Sequence, residues 1–337
     1  MGEHSKIEWT DSSWNPIRAR NRVAQVGDPG WRTGLPGGKP GWHCEHVSEG
    51  CRNCYAESMN RRLGTGLDFK PGHRADVEIF LDEKMLLAPL RWKKPRRIFV
   101  NSMTDTFAEF VKDEWIDRMF AVMALCPQHT FQMLTKRPDR MRAYCAAIDA
   151  PARVWPLACE MGQPGRALSA TLIKFGSPWP LPNVWLGVSA EDQATFEERR
   201  QPLRDTPAAV RFFSLEPLLG PIDASAALAT GLYHWVIVGG ESGPHARPMH
   251  PQWCRDIRDQ CAAAGVPYFH KQNGEFVGGE IHLDLSFDGG ELVQTGRHGR
   301  TAITRAHRFD DKTAAVRVGK RAAGRLLDGI EHNGMPT

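Results

Sequence analysis

Short runs of apolar, β-branched or aromatic residues, each ending abruptly in polar ones, constrain this chain more than any other feature. They read Ile98-Phe99-Val100, Thr130-Phe131-Gln132-Met133-Leu134, Val184-Trp185-Leu186-Gly187-Val188, Val210-Arg211-Phe212-Phe213-Ser214-Leu215, Trp235-Val236-Ile237-Val238 and Val266-Pro267-Tyr268-Phe269. Between most of them lie patterns of helical spacing, at 113–125, 138–147, 191–204 and 252–264. Asp113 before Glu114, and Pro251 before an amphipathic stretch, supply two helix starts. Strands that are nearly apolar throughout are buried on both faces, and strands separated by helices pair in parallel. With residues 6–10 as one more short strand, about seven strands predict an α/β fold. The expectation is a full or partial (β/α) barrel, in preference to a doubly wound sheet split at a switch point.

Some segments break the alternation. Residues 19–42, rich in Gly, Pro and Arg, read as a loop insertion, and 149–182 carry many prolines and little periodicity. In 279–296 an alternating Ile281-His282-Leu283-Asp284-Leu285 arm turns at Asp288-Gly289-Gly290 and returns through Leu292-Val293, an accessory β-hairpin. Lys312 to Leu327 reads as a basic, amphipathic closing helix at the C-terminus. The expected organisation is a barrel over 1–275, with the insertion at about 19–42, followed by the hairpin and closing helix over 276–337.

A net charge of +4 tolerates a polyanionic partner without demanding one. Lys93-Lys94-Pro95-Arg96-Arg97 reads as a solvated face. No apolar run reaches the roughly 18 residues of a membrane span. Residues 1–30 are polar and tryptophan-bearing, unlike a secretory signal, and Lys6 stands where N-myristoylation wants Ser or Thr. A cytoplasmic chain with no membrane partner follows, in which clustered thiols bind metal or do chemistry instead of forming disulfides.

A barrel gathers the carboxyl ends of its strands into one mouth, where barrel enzymes keep their sites. Here those positions read Asn101-Ser102-Met103-Thr104-Asp105, Thr135-Lys136-Arg137, Ser189-Ala190-Glu191-Asp192, Glu216-Pro217, Gly239-Gly240-Glu241-Ser242-Gly243 and Lys271-Gln272. Hydroxyls, carboxylates and Lys/Arg in such succession are candidate binding groups. Gly239–Gly243 is not a phosphate loop, since no Lys-Ser/Thr follows. Its two leading glycines allow close backbone approach at a strand end, with Glu241 projecting into the mouth.

Cys44, Cys51 and Cys54 have the spacing C-x6-C-x2-C. Structural zinc wants a closed tetrahedron, for which His43 or His46 would be the fourth ligand. An iron–sulfur cluster can use three thiolates and leave one iron open to a small molecule. Spacing leaves both open. Cys126, Cys254 and Cys261 fall in apolar-periodic segments and are expected in the core, while Cys145 and Cys159 have no assigned role.

Longer motifs carry a resemblance. "EWTDSSWNP" (8–16), "HVSEGCRNCYAE" (46–57), "LTKRPDR" (134–140), "LGVSAED" (186–192), "FSLEPLLGPI" (213–222), "VIVGGESGPHARPMHPQW" (236–253) and "KQNGE" (271–275) together resemble a phage- and prophage-encoded three-cysteine-motif family. That family is similar to the spore photoproduct lyase branch of the radical S-adenosylmethionine superfamily. The resemblance implies a barrel of the radical-SAM type and a 4Fe-4S cluster on Cys44, Cys51 and Cys54. It also implies S-adenosyl-L-methionine at the open iron, an external electron donor, and a 5′-deoxyadenosyl radical that modifies a nucleic acid or nucleotide in a bacterial host cytoplasm. On that reading Ser102, Thr104 and Asp105 meet the methionyl amino group. Lys136 and Arg137 hold a carboxylate or phosphate, and Ser189, Glu191, Glu216 and Glu241 are candidates for ribose, adenine or substrate. The chain departs from most of that superfamily in having six residues, not three, between its first two cysteines. The alternative is a zinc-stabilised, non-catalytic nucleic-acid-binding or scaffolding protein of phage origin, in which His43 or His46 binds the metal and the metal supports folding.

Overall fold

The computed structural model describes residues 5, 7–22, 40–162, 178–280, 286–288, 291–295, 301–310 and 312–336. Two compact units divide the chain, Met1–Val188 with Gln201–Arg211 and Ser189–Arg200 with Phe212–Thr337. In chain order the first carries β1 (Ser12–Trp14), β2 (Ile17–Asn21), α1 (Tyr55–Leu63), β3 (Val77–Leu81), β4 (Arg97–Val100) and α2 (Asp113–Ala124). It continues through β5 (Thr130–Thr135), α3 (Pro138–Ala146), α4 (Ala150–Met161) and β6 (Val184–Ser189). After α5 (Gln193–Arg204) come β7 (Val210–Leu215), β8 (Trp235–Gly239), α6 (Pro251–Ala264) and β9 (Tyr268–Gln272). The chain closes with β10 (Phe276–Glu280), β11 (Ser286–Asp288), β12 (Glu291–Thr295), β13 (Thr301–Arg308) and β14 (Thr313–Arg317).

The fold is mixed α/β with seven parallel strands. In the first unit they neighbour one another as β1-β4-β5-β6, in the second as β7-β8-β9. Each register aligns apolar pairs: Trp14 with Val100, Ile98 with Phe131, Met133 with Leu186, Phe213 with Val236 and Ile237 with Phe269. Strand order that follows chain order, with helices between, is compatible with a partial (β/α) barrel. The strands bury both faces as their composition requires, Ile98, Phe131, Phe212, Phe213 and Trp235 being fully enclosed. Each such side chain contributes roughly 1.5–3 kcal/mol of burial.

Several expectations are corrected. The first strand is Ser12–Trp14, not residues 6–10. Ile7–Thr10 turn instead, with the Thr10 amide donating to the Ile7 carbonyl, and the first residues that reach the Arg97–Val100 ladder are those ending in the buried Trp14. The last parallel strand starts at Tyr268 and not at Val266, since Pro267 has no amide to donate. Within 149–182, Ala150–Met161 is helical: Pro151 sits in the first turn, where its missing donor costs nothing, and Val154 and Ala158 are buried. Residues 163–177 lie outside the described residues.

The predicted closing helix over Lys312–Leu327 is instead strand β14, followed by a single helical turn at Lys320–Ala323. Gly319 and Gly324 bracket that turn at φ +86° and +65°, a left-handed backbone that ends a helix. Asp288 pairs with Glu291, while the expected Gly289-Gly290 turn and Ile281–Leu285 arm lie outside the described residues. It belongs to a five-stranded antiparallel sheet ordered β10-β14-β13-β12-β11. Cys126, Cys254 and Cys261 are buried as expected. No helix among the described residues is long and apolar enough to cross a membrane.

Candidate functional site

In the first unit, β2 and β3 form an antiparallel ribbon, and Gly41 bridges to Ala19 at its side, each amide donating to the other's carbonyl. A Cβ on Gly41 would lie 2.3 Å from the Thr65 nitrogen, so only glycine passes here. Asn60 of α1 secures the next residue: its Oδ1 accepts from the Trp42 amide at 2.9 Å and the Thr65 amide at 3.1 Å, while its Nδ2 donates to Thr65 and Leu67. The chain therefore enters the cysteine loop in a defined direction. Trp42, Ala56, Phe69 and Met103 form a small buried cluster, and Cys44 and Cys54 pack against it.

The loop is fastened to the carboxyl ends of β4 and β5. Arg137 Nη2 donates to the Glu45 carbonyl at 3.1 Å, and Nη1 to Asp105 Oδ2 at the same distance. Asp105 also accepts from Thr135 Oγ1 at 2.7 and 2.9 Å, from the Lys136 amide at 3.1 Å and from the Phe107 amide at 2.9 Å. Tyr55 Oη donates to the Ser102 carbonyl at 2.7 Å, tying the start of α1 to the end of β4. Asn15, just past β1, accepts from the Met103 amide and Ser102 Oγ. Its Nδ2 and the Thr104 hydroxyl are buried without a partner among the described residues, so this corner holds polar groups with bonding capacity left over.

Electrostatics separate the three thiols. Burial pushes the Cys44 thiol up to about 12, with the Asp105 charge adding to the effect, while Arg137 and the Asp105 amide favour the thiolate. Burial raises Cys54 too, against the amides of Glu57 and Ala56 at the head of α1 and against Lys136. Burial works against the Arg137 cation, yet Asp105, Cys44 and Glu109 hold its pKa above the usual value. All three cysteines are free thiols. No group of three or more His, Cys, Asp or Glu among the described residues is disposed to hold a metal ion. The donor set fits a three-thiolate metal in chemistry, while the geometry is not a preformed cage.

The histidines considered for zinc have other contacts. His43 is buried between Phe69 and Phe110, and burial lowers its pKa despite Glu45 at 3.5 Å. His46 Nε2 lies 3.4 Å from Glu57, whose carboxylate also accepts from the Phe69 amide. His46 lines a cavity of about 400 Å³ with Ser48, Glu49, Arg52, Glu57, Arg61 and Lys70.

In the second unit the strand-end residues are more committed than their sequence positions convey. Glu191 is fully buried and paired to Arg199 at 3.1 Å, and the same guanidinium donates to the Ser189 carbonyl. Glu241 does not project beyond its glycines: it is 6% exposed and accepts from the Arg247 amide, Nε and Nη2 at 2.9, 3.0 and 2.7 Å. Glu216 accepts from Lys271 Nζ and Ser214 Oγ, both at 3.0 Å, while Ser189 Oγ donates to its carbonyl. The two glycines do serve close approach. A Cβ on Gly239 would meet Glu216 Oε1 at 2.5 Å, and one on Gly240 the Asn273 carbonyl oxygen at 2.4 Å.

Cys44, Cys54, Ser102, Thr104, Asp105, Lys136 and Arg137 thus share one region of the first unit, with Cys51 on the same loop. Ser189, Glu191, Glu216 and Glu241 belong to the second unit. Asn15, Asn60 and Glu57 organise the cysteine loop and escape sequence reading, since a buried amide or carboxylate breaks no periodicity. The one available signal for Asn15 was its place beside Pro16, immediately after a strand.

A family model matches residues 39–336, and its description reads "Protein of unknown function (DUF5131)". No curated protein and no solved structure matches the chain.

Proposed function

We propose that this chain, which belongs to the DUF5131 family, is a radical S-adenosylmethionine enzyme. Cys44, Cys51 and Cys54 would hold a 4Fe-4S cluster, and the reaction modifies a nucleic acid or nucleotide. The observation that carries the reading is the fastening of the three-thiol loop to the carboxyl ends of β4 and β5. Arg137 and Tyr55 make that connection by hydrogen bonds to Glu45 and Ser102. A lone structural zinc knuckle needs no such link to strand ends.

Such a cluster, held by Cys44, Cys51 and Cys54, would supply one-electron reducing chemistry toward a bound S-adenosylmethionine. The residues of the chain do the positioning. Arg137 and Asp105 hold the loop, while Trp42, Phe69 and Met103 keep water from its inner side. The unpartnered Thr104 hydroxyl and Asn15 amide can bond the polar groups of a bound cofactor. Because Cys44 and Cys54 are raised by burial, loading displaces their protons, so metal uptake strengthens with pH.

Anaerobic reconstitution followed by iron and sulfide analysis tests the reading. About four of each per chain are expected, with loss in Cys44→Ala, Cys51→Ala and Cys54→Ala but retention in His43→Ala and His46→Ala. A colourless protein with stoichiometric zinc, lost in His46→Ala, overturns it.

A further inference from the structure

The basic closing segment has no part in the site described above, yet it carries a marked positive excess. From Arg297 to Arg325 there are nine Lys or Arg and two Asp, a larger excess than the +4 of the whole chain, so the remainder is net negative. A positive excess gathered on one segment can serve as the footprint of a polyanion when its cations share a face.

The antiparallel sheet sorts this segment into two faces, because directly opposed residues point to the same side. One face packs inward. Ala246, Phe276 and Ala315 form a buried cluster with Phe309 against it, and a Cβ on Gly278 would meet Pro251 Cδ at 2.7 Å. The other face sets Val277 opposite Val316 and Ala314 opposite Arg308. Val277 is 44% and Val318 43% exposed. This face is smooth, made of small residues, and carries no aromatic side chain among the described residues.

Cations stand at both ends of it. Lys312 precedes β14, Lys320 and Arg321 follow it, and all are exposed with no ion-pair partner among the described residues. Arg308 is exposed on the neighbouring strand, with its Nε donating to the Asp310 carbonyl at 2.9 Å. Arg317 and Arg325 serve the fold instead: Arg317 donates to the Gly243 and Pro244 carbonyls, and Arg325 to that of His270. The five residues of β14 extend about 17 Å. That is about five steps along one strand of a duplex.

We propose that this sheet face, with Arg308, Lys312, Lys320 and Arg321 around it, holds the sugar-phosphate backbone of a nucleic acid without reading its bases. Among the described residues no ring stands on this face to stack on a base, so affinity comes from phosphate contacts and counterion release. As the surface that presents the substrate, it rests on the function proposed above; as a polyanion contact it does not.

Fluorescence anisotropy of the full-length protein with labelled duplex oligonucleotides, titrated across salt, tests this. For about four phosphate contacts log K should fall with log salt at a slope near −3.6, independent of sequence. Lys320→Gln/Arg321→Gln should flatten the slope by about two and weaken every sequence alike, and Lys312→Gln should flatten it by about one. Lys93→Gln/Lys94→Gln, on another exposed basic stretch, should change neither. An unaltered slope in both the double variant and Lys312→Gln overturns the proposal, as does strong sequence preference. Binding to phosphatidylserine vesicles with none to oligonucleotides also overturns it and makes the face a membrane contact. Iron and sulfide without oligonucleotide binding sinks this inference alone; oligonucleotide binding without a cluster sinks the proposed function alone.

Discussion

Replacing Arg137 by Met would test whether the cysteine loop depends on one ion pair. Arg137 and Asp105 are 8% and 9% exposed, so the pair is screened little by solvent. Removing one member of a buried pair costs about 3–5 kcal/mol, because the other charge stays behind. Asp105 would keep the Thr135 hydroxyl and the amides of Lys136 and Phe107, which sets the expectation at the low end. The Glu45 carbonyl would lose its donor as well. About 3 kcal/mol corresponds to a melting temperature lower by roughly 6–12 °C. Calorimetry at pH 7.5 on Arg137→Met, Asp105→Asn and the double variant gives the coupling, expected at about 1–2 kcal/mol since the double variant leaves no unpaired charge. Arg137→Lys should fall close to Arg137→Met, because one ammonium cannot reach the three acceptors of the planar fork, Asp105, the Glu45 carbonyl and Glu109. A melting point within a degree of native for Arg137→Met, or strict additivity in the double variant, would refute the reasoning.

Glycines 239 and 240 should respond differently to alanine. Gly240→Ala drives a Cβ onto the Asn273 backbone and should cost about 1–3 kcal/mol, whereas Gly239→Ala meets only the end of the Glu216 side chain, which can swing away, at the expense of its contact with Lys271; thermal melts in the opposite order would contradict this. Burial depresses the pKa of His129 in the first unit and His270 in the second. The unfolded chain therefore takes up their protons first, and stability present above about pH 6.5 is lost as pH falls from there through the folded values. Melts between pH 7.5 and 5.5 should show the decline, and His129→Gln/His270→Gln should flatten it; an equally steep profile in the double variant would remove these histidines as the cause.

The parallel strands were legible because burial on both faces leaves no choice of residue: Ile98–Val100 and Trp235–Val238 must be apolar at every position to lie between layers of helix. Where competing signals met, local pattern lost to tertiary pairing. Lys312–Leu327 has a composition that suits a helix, but Ala315 fits the cluster of Ala246 and Phe276, and pairing on both sides makes the segment a strand. Ala150–Met161 was obscured by the opposite error, since proline reads as a breaker although Pro151 stands in a first turn that has no bond to lose.

The candidate residues were legible as strand-end positions and less so in employment. A hydroxyl or carboxylate just after a strand announces a mouth position, and Ser102, Thr104, Asp105 and Arg137 are at such positions. What sequence cannot display is whether a neighbour has already claimed the group. Arg199 follows Glu191 by eight residues and Arg247 follows Glu241 by six, and each turns a candidate ligand into a structural pair. Thr104 differs because its hydroxyl is enclosed and still unpartnered. An enclosed polar group without a bond is costly to fold around, by about 1–3 kcal/mol. On the function proposed above, a bound group beside the three-thiol loop completes that bond, and it is on that proposal that Thr104 differs from Glu191 as a candidate binding residue.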